Sequence, residues 1–314
     1  MGQHMNRLAK ALYPGLVALA CFLFGYDRAL GDTLYVSCQG DGFTANSGKI
    51  FQIDTASGHG SYFASGLVDP WGLALDGSGN LYAAMNYSGG GIDKFDASGN
   101  ASVFNSLASN SQPWYVAFDR SGNLFTSGYF TDITGVKKFD TGGHVSNFAN
   151  MSNPRNIAFD RAGNLYLLNG SSSSIYRFDT NGNQSVFASV GGATGLAFDT
   201  SGNLYTADSF NGAIEKISTN GQVSLFLNSG LSSPSALAFD SAGNLYVANY
   251  SVTDHPNTGT IEEFDTHGNG RIIASGLDFP VAFAVQVPEP ATWALVALGS
   301  IALLRNHRMR RRSS

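Results

Sequence analysis

Along most of the chain, short apolar runs alternate with a recurring polar break. Gly195-Leu196-Ala197-Phe198 is followed by Asp199-Thr200-Ser201-Gly202-Asn203, and then by Leu204-Tyr205. The same Asp-x-x-Gly-Asn break recurs as Asp76–Asn80, Asp119–Asn123, Asp160–Asn164 and Asp240–Asn244, each followed by Leu and then Tyr or Phe. Successive copies start 43, 41, 39 and 41 residues apart. The run before each break (Tyr115–Phe118, Asn156–Phe159, Ala236–Phe239) has the length and apolar character of a strand buried on both faces. In the break, Asp can accept from backbone N–H groups two residues on, and Gly supplies the left-handed position that closes a hairpin loop.

Asn-Leu-Tyr then opens a second strand. A third follows at Ile92–Phe95, Val136–Phe139, Ile175–Phe178, Ile214–Ile217 and Ile261–Phe264, and a fourth at stretches such as Ser102–Phe104 and Ser185–Ala188. Four antiparallel strands on a period of about forty residues predict an all-β propeller with one blade per repeat. First-strand candidates number six: Gly72–Leu75, Tyr115–Phe118, Asn156–Phe159, Gly195–Phe198, Ala236–Phe239 and Ala282–Val285. The last has no turn after it, whereas Thr33–Ser37, Lys49–Asp54 and Gly60–Ala64 form three strands lacking a first. The C-terminal strand is therefore expected to complete the N-terminal blade (three strands plus one), closing a six-bladed ring over residues 32–286 and removing the open strand edges.

Composition narrows the partners. Residues 32–286 carry 21 acidic against 10 basic side chains, which excludes nucleic acid and anionic membrane surfaces. The chain has two cysteines, Cys21 and Cys38, and removal of an N-terminal leader leaves only Cys38, so no internal disulfide is expected.

Both ends differ from the body. Arg7 and Lys10, the apolar Leu12–Phe24 and the small residues Ala29-Leu30-Gly31 have the order of a secretory signal peptide, assigned to residues 1–31. At the other end, Pro288-Glu289-Pro290 precedes the apolar Ala291–Leu304 and a basic cluster of Arg305, Arg308, Arg310, Arg311 and Arg312. A short apolar helix with a basic end fits transient insertion into the inner membrane, basic end cytoplasmic. Residues 287–314 resemble the PEP-CTERM sorting signal. That resemblance implies an exported protein of a Gram-negative bacterium, handled by the secretion machinery and processed by an exosortase. It also implies passage from the periplasm to the cell surface or extracellular matrix, commonly where exopolysaccharide is made.

The repeats resemble the NHL family and, more loosely, the streptogramin-lyase and gluconolactonase-like six-bladed propellers; Tyr205-Thr206-Ala207-Asp208-Ser209-Phe210-Asn211-Gly212-Ala213-Ile214 carries the likeness. Gluconolactonase-like propellers imply a divalent metal at the top of the channel, held by Glu, Asn and Asp. Asn169, Asp208 and Asn249 end the second strands of three consecutive blades and are the candidates for Ca²⁺, another divalent cation or a sugar hydroxyl, the alternative being side chains that stabilise the ensuing turn. No cofactor is otherwise expected. Trp71, Trp114, Tyr115 and Tyr250 are expected on the same face, where aromatics beside amides suit stacking on pyranose rings.

Two functions stay open. One is a non-catalytic, surface-sorted propeller that binds exopolysaccharide or protein in the extracellular matrix. The other is a metal-dependent lactonase or lyase with its site at the top of the channel. No Gly-x-Ser-x-Gly elbow, His-Glu-x-x-His motif or Cys pair supplies catalytic residues, and the four body histidines fall at unequivalent repeat positions.

Overall fold

The computed structural model describes residues 31–40, 46–87, 89–250 and 257–287. The expected signal peptide, the Pro-Glu-Pro motif with its apolar helix and Arg310–Arg312, and the loop carrying Asp254 and His255 lie outside the described residues.

Each Asp-x-x-Gly-Asn segment folds as a self-contained turn. Asp199 Oδ1 accepts the backbone N–H groups of Ser201 and Asn203, both at 2.8 Å, and the Asn203 side-chain amide donates to Oδ2 at 2.8 Å. Asp199 N–H bonds the Asn203 carbonyl at 2.9 Å, and Gly202 takes φ +84°, a left-handed value that a Cβ would strain. The turns at Asp76, Asp119, Asp160 and Asp240 repeat this arrangement. The same device also closes the third-to-fourth-strand turns at Asp96, Asp179 and Asp265. That second series had gone unread in the sequence.

These turns join 24 strands into six four-stranded antiparallel sheets. Blade 1 holds β1 (Thr33–Cys38), β2 (Gly48–Asp54) and β3 (Gly60–Leu67). Blade 2 holds β4 (Pro70–Leu75), β5 (Leu81–Met85), β6 (Ile92–Phe95) and β7 (Ala101–Asn105). Blade 3 holds β8 (Gln112–Phe118), β9 (Leu124–Tyr129), β10 (Thr134–Phe139) and β11 (Val145–Asn150). Blade 4 holds β12 (Pro154–Phe159), β13 (Leu165–Asn169), β14 (Ser174–Phe178) and β15 (Gln184–Ser189). Blade 5 holds β16 (Ala193–Phe198), β17 (Leu204–Asp208), β18 (Ala213–Ile217) and β19 (Val223–Leu227). Blade 6 holds β20 (Pro234–Phe239), β21 (Leu245–Asn249), β22 (Gly259–Phe264) and β23 (Gly270–Leu277). The last strand, β24 (Pro280–Gln286), pairs antiparallel with β1 from Thr33↔Gln286 to Val36↔Phe283, so blade 1 is completed as expected. The first strands of neighbouring blades touch in a closed cycle, β24–β4–β8–β12–β16–β20.

The second strands β5, β13, β17 and β21 are buried along their whole length, as their largely apolar runs require. Their aromatic residue clamps adjacent blades. The Tyr205 ring meets Phe226 of its own outer strand edge-on at 5.1 Å, and Phe239 of the next blade's first strand at 4.8 Å. Tyr82, Phe125 and Tyr166 make the same pair of contacts. Each such pair adds about 0.5–1.5 kcal/mol beyond its buried area. At the seam, Asp32 is buried and its carboxylate accepts Ser241 N–H at 2.6 Å and Ser241 Oγ–H at 3.1 Å, tying the first residues of blade 1 to the turn of blade 6.

Because β24 is the only partner for the inner edge of β1, deletion from Pro280 onward should abolish the cooperative melt. Deletion from Pro288 onward should leave it intact. Equal melting temperatures for the two truncations would rule out closure at this seam.

The carboxylates predict a pH profile. Burial raises Asp76 and Asp199, but hydrogen bonds from Asn80 and Asn203 and from the turn backbone outweigh it, leaving both below the usual carboxylate range. Their stabilisation is present above the unfolded pKa of about 4 and is lost as pH falls through the folded value. Burial raises Asp93, Glu215 and Glu262, with Asp208 adding to the rise of Glu215 and an Asn249 hydrogen bond opposing that of Glu262. Their stabilisation is present below the unfolded value and is lost as pH rises through the folded one. The melting temperature should therefore peak near about pH 4–5 and fall on both sides. A profile that rises steadily from pH 3 to pH 8 would contradict this assignment.

Candidate functional site

Chain direction sorts the loops onto two faces. The Asp-x-x-Gly-Asn turns, which follow the first and third strands, all lie on one face. The loops after the second strands and those entering the first strands share the other.

On that second face, a left-handed residue precedes most first strands: Asp69, Asn153, Gly192, Ser233 and Phe279, with φ between +45° and +64°. The carbonyl of each accepts a backbone N–H from just past a second strand, from Asn86, Gly170, Ser209, Tyr250 and Gln39 respectively. The two loops of a blade are thereby stitched together, and a Pro stands at or next to the start of the first strand in five of the six blades. The side chain one residue further along then faces the channel. Blade by blade that register position holds Val281, Trp71, Trp114, Arg155, Thr194 and Ser235.

A cavity of about 370 Å³ opens there, lined by Trp71, Arg155, Thr194, Ser235, Val281 and Tyr115, with Gln39, Ser209, Phe210, Ser233 and Tyr250 at its rim. The volume is within the range of small-ligand sites, about 300–1,000 Å³. One flank is an aromatic shelf. Trp71 and Trp114 lie 5.7 Å apart with their planes tilted by 32°, and Tyr115 meets Trp71 at 6.0 Å. Asp69 holds the shelf in place by accepting the Trp71 indole N–H at 2.9 Å. Burial pushes the Tyr115 phenol up to about 12, against the pull of Arg155, so it stays a neutral hydroxyl. Arg155 lies over the Trp114 ring at 5.3 Å. On the opposite flank Thr194 Oγ–H donates to the Pro234 carbonyl at 3.0 Å and Ser235 Oγ–H to the Pro280 carbonyl at 2.7 Å, each reaching the next blade. Phe210 stands at the rim, 89% exposed.

The structure brings Trp71, Tyr115 and Tyr250 together at this mouth, with Trp114 outside the lining and packed against Trp71. Asn169, Asp208 and Asn249 are buried at the equivalent ends of β13, β17 and β21, outside its lining. Asn169 Oδ1 accepts the N–H groups of Ser171 and Ser172, and Asp208 Oδ1 those of Phe210 and Asn211. Asn211 Nδ2–H donates to Asp208 Oδ2 at 2.6 Å. Asn249 Oδ1 accepts Ser232 N–H, and its amide donates to Thr260 Oγ1. These oxygens cap loops, and among the described residues no three His, Cys, Asp or Glu side chains gather as metal ligands. The donor set does not fit the divalent ion that gluconolactonase-like propellers imply. His59, His144 and His267 are exposed in turns of the opposite face. A second cavity, of about 420 Å³, lies on that face between blades 4 and 5, bounded by Asp160, Asn164 and Tyr166 of the turn module itself.

Sequence reading reached the aromatics of the mouth but passed over Thr194, Ser235, Val281 and Phe210. The signal was available: the residue after the Pro (Ala193 in blade 5) near the start of each first strand varies widely from blade to blade, while the residues four and five positions after it are almost uniformly Ala and Phe or another apolar.

The chain is thus a six-bladed β-propeller with a mouth assembled from all six blades. Its end carries a second identity: residues 286–311 match the PEP-CTERM protein-sorting motif, the mark of an exported protein sorted to the cell surface. No curated protein matches the chain in sequence. Solved propellers share its fold. A chain of the nidogen/laminin complex aligns with TM-score 0.62 and 19% identity over 81% of this chain and 98% of its own. The Xanthomonas campestris gluconolactonase XC5397 aligns with TM-score 0.56 and 18% identity over 64% and 75%. A streptogramin B lyase aligns with TM-score 0.55 and 16% identity over 76% and 80%.

If Asp208 caps its loop, Asp208→Ala should cost about 1–2 kcal/mol of stability, because the N–H groups of Phe210 and Asn211 lose their acceptor. Asp208→Asn keeps an oxygen in place and should cost less than half as much. Urea titrations in which Asp208→Ala unfolds with the parent would show that the cap contributes nothing.

Proposed function

We propose that this is a non-catalytic, surface-sorted propeller that binds a glycan of the extracellular matrix at the six-blade mouth, after its tail has been processed by an exosortase. The observation that carries this reading is the composition of the mouth. Trp71 and Tyr115, with Trp114 packed against Trp71, share the cavity wall with the hydroxyls of Thr194 and Ser235, a pairing suited to the apolar ring face and the polar rim of a pyranose. Those two hydroxyls already donate to backbone carbonyls, so they offer lone pairs to sugar O–H groups.

The sorting motif supports an extracytoplasmic setting in which the exopolysaccharide of a Gram-negative host is the abundant ligand, and the acidic body keeps the protein from anionic lipid and nucleic acid. The domain division follows: a signal peptide over 1–31, the binding body over 32–286 and the sorting tail over 287–314. The lactonase or lyase reading draws on fold likeness alone, and the capped oxygens of Asn169, Asp208 and Asn249 give it no metal centre.

Binding of the full-length chain to the exopolysaccharide of its host, measured by affinity electrophoresis, should weaken at least about tenfold in Trp71→Ala and Trp114→Ala variants whose circular dichroism is unchanged. Undiminished binding in both would move the site elsewhere. Mass spectrometry of cell-surface material should find chains lacking both Met1–Gly31 and the terminal arginines. An intact C-terminus there would remove exosortase processing from the account.

A further inference from the structure

Among the described residues, the lining of the mouth carries a single charge. Arg155 is its only ionisable side chain besides the Tyr115 and Tyr250 phenols, and no described carboxylate lines the cavity. This is unusual in a body with twice as many acidic as basic residues.

Among the described residues, other charges on the same face are already engaged. Lys49 bonds Asp278 at 3.2 Å, and Lys137 bonds Asp132 at 2.8 Å. Asp69 is occupied by the Trp71 indole, and Asp208 by its loop. The Arg155 guanidinium, by contrast, makes no hydrogen bond or ion pair among the described residues. It is nevertheless held. Its backbone carbonyl accepts Ser127 Oγ–H from blade 3 at 2.7 Å, and the Trp114 ring lies beneath its side chain. On the far side is Gly170, where an added Cβ would stand 2.9 Å from Arg155 Nε. A guanidinium wedged between an indole and a glycine, with its donors left over, is arranged for an incoming planar anion, since its fork matches a carboxylate in two parallel hydrogen bonds.

We propose that the mouth selects acidic glycans: the aromatic shelf takes the ring of a uronate-type pyranose and Arg155 takes its carboxylate. This rests on the glycan reading above and narrows it from glycans in general to carboxylated ones.

The test uses the full-length chain with two probes of one backbone, oligogalacturonate and its fully methyl-esterified form, at low salt, where the charge contact is least screened. The parent should bind the acid at least about tenfold more tightly than the ester, the effect expected of a charge-assisted hydrogen bond made or lost. Arg155→Gln should erase that preference, and Arg155→Lys should restore part of it. Equal affinity of the parent for both probes, lost in Trp71→Ala, would overturn carboxylate selection and leave the glycan reading standing. A preference that survives Arg155→Gln would overturn the role of this residue. Failure of the parent to bind either probe would overturn the uronate assignment, and binding of the host polysaccharide would then decide the broader reading separately.

Discussion

A single carboxylate in each of five blades holds the ring in register. The turn aspartate satisfies the backbone of its own hairpin through Oδ1, takes the Asn amide on Oδ2, and on the same oxygen receives the hydroxyl of the tyrosine two residues after that Asn: Tyr166 at 3.3 Å, Tyr205 at 3.2 Å and Tyr246 at 3.1 Å. That tyrosine ring is also the clamp between blades. A local turn is thus coupled to a contact some forty residues away, and sheet geometry cannot drift without breaking a buried hydrogen bond.

The exceptions support this account. Blade 3 carries Phe125 in place of tyrosine and keeps both aromatic contacts without the hydroxyl, so the ring packing does not depend on that bond. Blade 1 has no first turn, since the chain termini meet there. Tyr35 instead bonds Gln286 at 3.1 Å, and Asp32 reaches across to Ser241. The seam therefore replaces the missing covalent turn with side-chain contacts between the two ends of the ring.

Concentrating this chemistry on one face leaves the other free to vary. The turn face spends its Asp and Asn side chains on its own backbone. On the mouth face the stitching is done by main-chain carbonyls of left-handed residues, which demand little of the side chains that follow. Six consecutive first strands can therefore present Val, Trp, Trp, Arg, Thr and Ser at one register without disturbing a blade. A binding surface on a repeated scaffold needs that freedom.

The sequence alone determined the repeat, the count of six, the three-plus-one closure and the sorting motif, because each depends on local pattern: a turn code, short apolar runs and a fixed spacing. It also announced the aromatic wealth of the mouth through Trp71, Trp114, Tyr115 and Tyr250. Only the tertiary structure decided what Asn169, Asp208 and Asn249 do, since an Asn that caps a loop and one that faces a ligand look identical in a string of letters. The same holds for Arg155, unremarkable by residue type. Its place beside Trp114, against Gly170 and away from every described carboxylate exists only once blades 3 and 4 are packed side by side, and side-chain proximity across a ring is not a property of sequence spacing.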